Sequence, residues 1–554
     1  MTDKHYTDLD AVIVGAGFGG MYQLICLRDR LGLSVKVLEA ADGVGGTWYW
    51  NRYPGARCDS ESHAYWLTFD ADLMKGWEWT ERYPEQPEIL RYLNYVADRY
   101  DLRRNIQFNT RVTAATYDEA ANRWHVRTAA GETFTAQYLI TAVGCLSTAN
   151  VPKIPGLDRF KGAWYHTGQW PHEGVDFTGK RVGMIGTGST GIQAAPVIAQ
   201  TAAHLTVFQR TANYSVPARN VPLTDEFKQW IKDNADQIRF LTRDTPNGQA
   251  FRVSPQKAVD TPAAEREAIY EAAWERGGLQ FRAAFQDLLS SKEANDTAAD
   301  FIRRKVRQIV KNPDTAALLS DFDHPYAAKR PPIDTDYFET FNRPNVTLVD
   351  VKAAPIEAIT PDGIRTANGE YKLDIIVFAT GFDAMTGPLL GLNIQGRDGV
   401  SLRDAWKDGP INYLGLQVTG FPNLFTITGP GSPSVLTNMP VAIEQHADWI
   451  SDCITYMRAK GLDRIEATPE AMTRWVAQVN EAGNATLLPM AKHSWYLGAN
   501  IPGKPRVFMP YAGGMTRYRQ ICEAIAANGY EGFALTAADA AADAAADTRQ
   551  PTAA

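Results

Sequence analysis

The sequence predicts an α/β protein made of two Rossmann-like dinucleotide-binding domains with a helical insertion. Three observations carry that reading. A short apolar strand at residues 10–14 runs straight into Gly15-Ala-Gly17-Phe-Gly19-Gly20, and an amphipathic helical pattern follows to about Leu31. A second strand, residues 180–185, runs into Gly186-Thr187-Gly188-Ser189-Thr190-Gly191, again followed by a helical pattern. Between residues 215 and 328 the pattern turns helical throughout. Each glycine run lies between a strand and a helix. There the first glycine permits a tight turn, the second lets backbone approach a pyrophosphate, and the third lets helix pack on strand.

The bulk properties suit this architecture. At 554 residues the chain is long enough for three or four structural units of roughly 150 residues each. Hydrophobic residues make up 45% and charged residues 21%, as in ordinary globular proteins. The net charge of −7 argues against nucleic acid or an anionic membrane as main partner. No run of 18 apolar residues is present, so no membrane span is expected. The first residues lack the apolar core of a secretory signal. Cys26, Cys58, Cys145, Cys453 and Cys522 are scattered, with no Cys-x-x-Cys. That distribution suits a reducing cytoplasm and no zinc site, and no metal is expected.

In the first unit, the strand at 35–38 ends at Glu39, whose carboxylate can accept hydrogen bonds from a ribose diol. Gly45-Gly46, just beyond that acid, lets backbone meet the second half of an FAD. Residues 109–112 read as a strand start whose backbone at Val112 can meet the adenine. Antiparallel strands around 124–127 and 134–141 follow, with turns at Asn122 and Gly131, and 139–144 returns to the first sheet. The second unit repeats the first by count. Gly15 to Glu39 is 24 residues, and Gly186 to Arg210 is also 24. Arginine therefore stands where the first unit has its acid. A guanidinium binds a 2′-phosphate that a carboxylate would repel, so the first loop is assigned to FAD and the second to NADPH. Arg210 and Thr211, aided by Lys329, are the residues expected at that phosphate. The bland alternative is a solvated charge at a strand end.

The remaining elements are less specific. In the insertion, Thr261-Pro262 reads as a helix start closed by Gly277-Gly278, and a later helix carrying Phe301, Ile302, Val306 and Ile309 stops at Asn312-Pro313. The apolar run at 375–379 leads into Thr380-Gly381-Phe382-Asp383, a crossing between domains. A helix at about 440–460 would point its N-terminus, near Met439, at the flavin and stabilise its reduced anion.

Between the two glycine runs lies Phe160-Lys-Gly162-Ala-Trp164-Tyr-His166-Thr-Gly-Gln-Trp170-Pro171, which follows neither a helical nor a strand period. It reads as a hinged linker between domains. The pattern Phe-x-Gly-x-x-x-His-x-x-x-Trp-Pro resembles the fingerprint of the type I Baeyer–Villiger monooxygenases, the phenylacetone, steroid and cyclohexanone monooxygenase group. The likeness runs from about residue 8 to 536. It implies an enzyme in which NADPH reduces FAD and a flavin peroxide inserts oxygen beside a ketone carbonyl, giving an ester or lactone. It also implies Thr47, Trp48 and Asp59 beside the flavin, with Tyr65 nearby. An Asp59–Arg330 pair is then catalytic, His166 positions the domains, and the loop at Trp495 orders over NADPH. Residues 431–439, with Ser434, Val435 and Leu436, and the Trp495 loop would border the ketone cavity.

The expected domains are 1–145 and 383–536 for FAD, 146–214 and 329–382 for NADPH, 215–328 as the insertion and 537–554 as a disordered Ala/Asp tail. The substrates expected are a small-molecule ketone and dioxygen. The alternatives are a flavin monooxygenase acting on nitrogen or sulfur, a reductase serving a protein partner, and a redox sensor. A reductase should carry a redox disulfide, which the cysteine spacing lacks.

Overall fold

The computed structural model of the chain describes residues 5–537. The first glycine run sits in an eight-stranded sheet. His5–Val14 lies at its centre, parallel to Val35–Leu38 on one side and to Thr133–Thr141 on the other. Ile106–Gln107 extends the sheet beyond Val35–Leu38. Thr133–Thr141 serves two neighbours along its length. Its first half pairs antiparallel with Arg123–Thr128, while its last three residues pair parallel with Leu424–Thr426 from the far end of the chain. The expected separate return strand at 139–144 is thus the end of one nine-residue strand. Its second half is buried at four successive residues, because both faces are covered there.

The turns at Asn122 and Gly131 are left-handed, with φ of 50° and 84°, which asparagine and glycine tolerate best. Asn109 is also left-handed (φ 53°), so the strand expected from 109 begins at Val112. The helix after the first glycine run is α-helical over Phe18–Leu24 and relaxes into a π-helix over Ile25–Arg30.

The second sheet is wholly parallel, ordered Val346–Asp350, His204–Gln209, Arg181–Ile185, Ile375–Phe378 and Ala163–His166. The last strand corrects the sequence reading. Residues 163–166 form the edge strand of this sheet, so they are no free hinge. Alternation was invisible because the segment is apolar or aromatic throughout, and its exposed side carries Trp164, 43% exposed. Val182, Met184, Leu205 and Val207 lie buried between the helices, each contributing roughly 1.5–3 kcal/mol. A three-stranded antiparallel sheet, Ile356–Thr360, Gly363–Thr366 and Gly369–Lys372, is appended to this unit.

The insertion divides between the two cores. Asp225–Asp233 and Ala235–Asp244 bury Ile231, Ala235 and Ile238 in the core of the first sheet. Ala263–Arg276 and Lys292–Ile309 bury Tyr270, Trp274, Phe301, Ile302 and Val306 in the core of the second. Thr261 does not cap Ala263–Arg276. Its hydroxyl donates to the Lys257 carbonyl at 2.8 Å, and Pro262 takes the cap position. Asn312 does more than stop a helix: its side chain accepts from the Thr315 amide and starts Pro313–Leu319. The helix expected at about 440–460 is Met439–Ala459. Among the described residues no helix is long and apolar enough to cross a membrane. The expected Ala/Asp tail lies outside the described residues, apart from its first.

Val216–Pro217 and Ile333–Asp334 pair in parallel where the chain leaves and re-enters the second unit. Buried Asp334 accepts from the Ser215 hydroxyl at 2.5 Å and the Tyr337 amide at 3.2 Å. Burial pushes its carboxyl up to about 7. The folded state therefore holds a proton that the unfolded chain releases near its ordinary value, and stability falls as pH rises from about 4 to about 7. Between about pH 5 and about pH 8, wild type should lose roughly 2 kcal/mol more than Asp334→Asn. Urea midpoints of the two proteins at both pH values check this; parallel losses would refute it.

Candidate active site

Two glycine cradles repeat the same contact. A Cβ on Gly15 (φ +102°) would lie 2.6 Å from the Ala142 carbonyl oxygen, and one on Gly20 would lie 1.8 Å from that of Gly15. In the second unit, a Cβ on Gly186 (φ +114°) would lie 2.4 Å from the Ala379 oxygen, and one on Gly191 2.3 Å from the Gly186 oxygen. These four positions let helix and strand close on one another. The middle glycines differ. Gly17 faces the backbone of Gly46, 3.4 Å from where its Cβ would stand, and a Cβ on Gly188 would meet nothing within 4 Å. Both are helix N-caps without a side-chain cap, so first-turn N–H groups are left facing outward. That is the donor set a pyrophosphate requires.

Around the first cradle, Glu39 is buried and accepts from the Ala16 and Ala41 amides at 2.6 and 2.8 Å. Burial raises its pKa against those bonds, and carboxylate lone pairs remain for a diol. The Asn109 and Thr110 amides donate to the Ala41 and Glu39 carbonyls, both at 2.8 Å, which lays the segment entering Val112 across this edge. Exposed Thr47 opens the short helix Thr47–Trp50. The Trp48 indole N–H donates to the Tyr65 hydroxyl at 3.1 Å, and Tyr65 meets Phe18 edge-on at 5.6 Å. Asn438 donates to the Ala64 carbonyl, which brings the N-terminus of Met439–Ala459 beside Tyr65.

Arg330 lies across from Asp59 in a bidentate pair, with Nε–Oδ2 at 2.5 Å and Nη2–Oδ1 at 2.6 Å. Its Nη1 donates to the Val435 carbonyl at 2.9 Å. Burial opposes the guanidinium charge, but Asp59 outweighs it and keeps the pKa above arginine's ordinary value. Arg330 is therefore a fixed cation, still 26% exposed. It reaches a cavity of about 190 Å³ whose wall includes Val435, Leu436, Leu488, Tyr496 and Arg282. Two expectations change here. Ser434 is fully buried, turned away with its hydroxyl on the Thr428 carbonyl at 3.3 Å, while Val435 and Leu436 line the cavity. From the loop at 494–504, Tyr496 is the residue at the wall, and half-buried Trp495 stacks edge-on against it at 4.5 Å. Asn500 donates to the Phe382 carbonyl, and Lys504 to Asp383 and the Ala384 carbonyl, pinning this loop over the crossing.

At the second cradle, the Thr187 hydroxyl donates to the Thr211 carbonyl at 2.9 Å, tying Gly186-Thr187-Gly188-Ser189-Thr190-Gly191 to the Arg210 strand end. Arg210 is exposed. Burial lowers the pKa of Lys329, and the nearby Arg210 charge lowers it further, although Asp323 opposes. Neither cation forms an ion pair among the described residues, so the two face a place where an anion would be welcome.

His166 ends the edge strand and is 2% exposed. Its Nδ1 accepts from the Gly168 amide at 3.0 Å, and its Nε2 makes no hydrogen bond of good geometry among the described residues. Burial lowers its pKa while the Gly381 and Asn150 backbone opposes, so the ring is neutral with the proton on Nε2. It meets Phe382 edge-on at 5.9 Å. No hydrogen bond or ion pair joins it to Asp59 or Arg330. The structure thus brings together two of the three catalytic candidates and sets the third against the interdomain crossing. Arg282 was missed from sequence because it lies in no motif, and Tyr496 was passed over for its neighbour Trp495 in the same loop; only their convergence on the cavity marks them.

Comparisons with known proteins agree with this geometry. A family model described as flavin-binding monooxygenase-like matches residues 10–220. A Baeyer–Villiger monooxygenase of Pseudooceanicola batsensis is 48% identical over 94% of this chain and 95% of its own length. A cyclohexanone 1,2-monooxygenase of an Acinetobacter species is 44% identical over 95% and 96%. The solved structure of oxidized steroid monooxygenase bound to NADP superposes with a TM-score of 0.91 at 51% identity, covering 96% of this chain and all of that one. With full-length relatives at this identity and a cavity that ends on the Asp59–Arg330 pair, the chain belongs to the Baeyer–Villiger monooxygenase family.

Proposed function

We propose that this protein uses NADPH, FAD and dioxygen to convert ketones into esters or lactones. The observation that supports this best is the paired cation Arg330 at the end of a cavity lined in part by Val435, Leu436 and Leu488. The glycine cradle fits the FAD pyrophosphate, with Gly15, Gly17, Gly20, Gly46 and Thr47 around it. Glu39 and the Val112 edge take the adenosine half, and Trp48, Asp59, Tyr65 and Met439 the flavin half. Gly186, Thr187, Gly188, Ser189, Thr190 and Gly191 would hold NADPH, with Arg210, Thr211 and Lys329 at its 2′-phosphate and Trp495 closing above. When bound, the reduced flavin supplies the activated oxygen. The protein's own part is electrostatic. Arg330 stabilises the negative oxygen that develops on the ketone, Asp59 holds the guanidinium in place, and the closed 494–504 loop excludes water. His166 positions the crossing at Gly381 and Phe382. Five buried free cysteines suit a reducing compartment, and the cytoplasm is the reading adopted.

Purified protein mixed with NADPH, air and a panel of ketones, amines and sulfides tests the reaction, with products identified by mass. Ester formation is expected. Oxidation of nitrogen or sulfur alone would sink the ketone assignment. Arg330→Ala should retain FAD and still oxidise NADPH, yet lose at least roughly a hundredfold of ester formation, the loss typical for one oxyanion donor. Normal ester yield from that variant would move the catalytic cation elsewhere.

His166→Ala should keep its FAD but consume NADPH without a matching yield of ester. Full coupling would remove its positioning role. The second cradle offers a structural control. Gly188→Ala should leave the melting temperature unchanged and weaken NADP+ binding in a fluorescence titration. Arg210→Ala should reduce the NADPH-over-NADH preference by roughly tenfold or more, the value of a charge-assisted bond. An unaltered preference would show that the 2′-phosphate lies elsewhere.

A further inference from the structure

The cavity wall carries a second cation. Arg282 sits in the tight turn Gly278–Ala284 of the insertion and lines the same cavity as Arg330. The two arginines differ in how they are satisfied. Arg330 gives Nε and Nη2 to Asp59 and Nη1 to the Val435 carbonyl. Arg282 makes no hydrogen bond and no ion pair among the described residues, and no aspartate or glutamate lines this cavity. The groups that act on its charge are the Tyr326 and Tyr496 phenols and the repelling Arg330; burial, the largest influence, also disfavours the charge. The Arg330–Asp59 pair is electrically balanced, so the cavity is left with one uncompensated positive charge, on Arg282.

A half-buried, unpaired guanidinium is unfavourable in the free protein, and an apolar residue in its place would remove the penalty. The same penalty becomes binding energy when a ligand brings the missing anion, because Arg282 is already partly desolvated and has no partner to give up. A planar carboxylate matches the guanidinium fork. We propose that Arg282 recognises a carboxylate on the substrate, so that the preferred ketones are oxo carboxylic acids. Their carbonyl lies toward Arg330 and their carboxylate toward Arg282. Competition from Arg330 is weak, since the Asp59 carboxylate already balances its charge. The carbonyl end rests on the reading given under Proposed function; the carboxylate end rests on Arg282 alone.

The test has one arm that needs no turnover. Hexanoate and hexanamide are titrated by calorimetry into protein loaded with FAD and NADP+. Hexanoate should bind more tightly than the amide, and Arg282→Ala should erase roughly tenfold or more of that difference, while Arg282→Lys keeps part of it. In the second arm, levulinate and its longer homologues are compared with their methyl esters. The ratio of kcat/KM for acid over ester should fall at least roughly tenfold in Arg282→Ala. FAD content and melting temperature confirm that the variants fold. An acid-to-ester ratio identical in wild type and Arg282→Ala, or equal binding of hexanoate to both, would overturn the proposal. Neutral ketones converted without preference for acids would overturn it and leave the oxygenation reading intact. Hexanoate binding that depends on Arg282, in a protein converting no ketone, would uphold the carboxylate site and remove the reaction.

Discussion

The fold depends on a contact that only glycine allows, made twice. A helix can rise from the end of a parallel strand at this pitch only if its first turn nearly touches the neighbouring strand's carbonyl. Gly15 does this at the Ala142 carbonyl and Gly186 at that of Ala379, while Gly20 and Gly191 let the helix close on the carbonyls of Gly15 and Gly186. Each tight approach turns the following helix so that unsatisfied N–H groups point away from the sheet. The capacity to hold an anion follows from that packing. The two residues beyond these carbonyls, Gly144 and Gly381, are both left-handed, with φ of 70° and 75°, and nothing lies within 4 Å of their missing side chains. The chain leaves each unit through the same bend.

The Asp59–Arg330 pair links parts of the chain 271 residues apart. Asp59 comes from the first unit and Arg330 from the segment that re-enters the second. The carbonyl of Val435, in the loop before Met439–Ala459, completes the set. A pair this shielded contributes little net stability, because desolvation offsets the attraction, but loss of one partner strands the other. Its value is positional. One geometry satisfies all three partners, so the cation stands at one place at the cavity end.

Closure of that cavity is shared. The 494–504 loop is held on the crossing at Phe382, Asp383 and Ala384, and Tyr496 packs with Val435, Leu488 and Met509 in a small separate core. His166 lies on the other side of the same crossing, against Phe382. A shift of the second unit would therefore reach the cavity wall through Phe382 and its neighbours, without His166 touching the reacting atoms.

Residues whose role is local could be read before any coordinates. The glycine runs, the acid at Glu39 and the arginine at Arg210 depend on backbone conformation and chain counting over a few dozen residues, and both are written in the order of amino acids. The Asp59–Arg330 pair was legible only through resemblance to a family, since nothing in a sequence announces a contact across 271 positions. Other features were decided in three dimensions. Residues 163–166 became an edge strand because Ile375–Phe378 offered them hydrogen bonds, and the insertion split because two cores competed for its apolar faces. Ser434 turned inward while Val435 and Leu436 turned to the cavity. Arg282, one arginine among many in the sequence, acquired meaning only when folding set it in a cavity lined by no aspartate or glutamate. Burial and pairing are properties of neighbours, and neighbours distant in the chain are chosen by the tertiary fold.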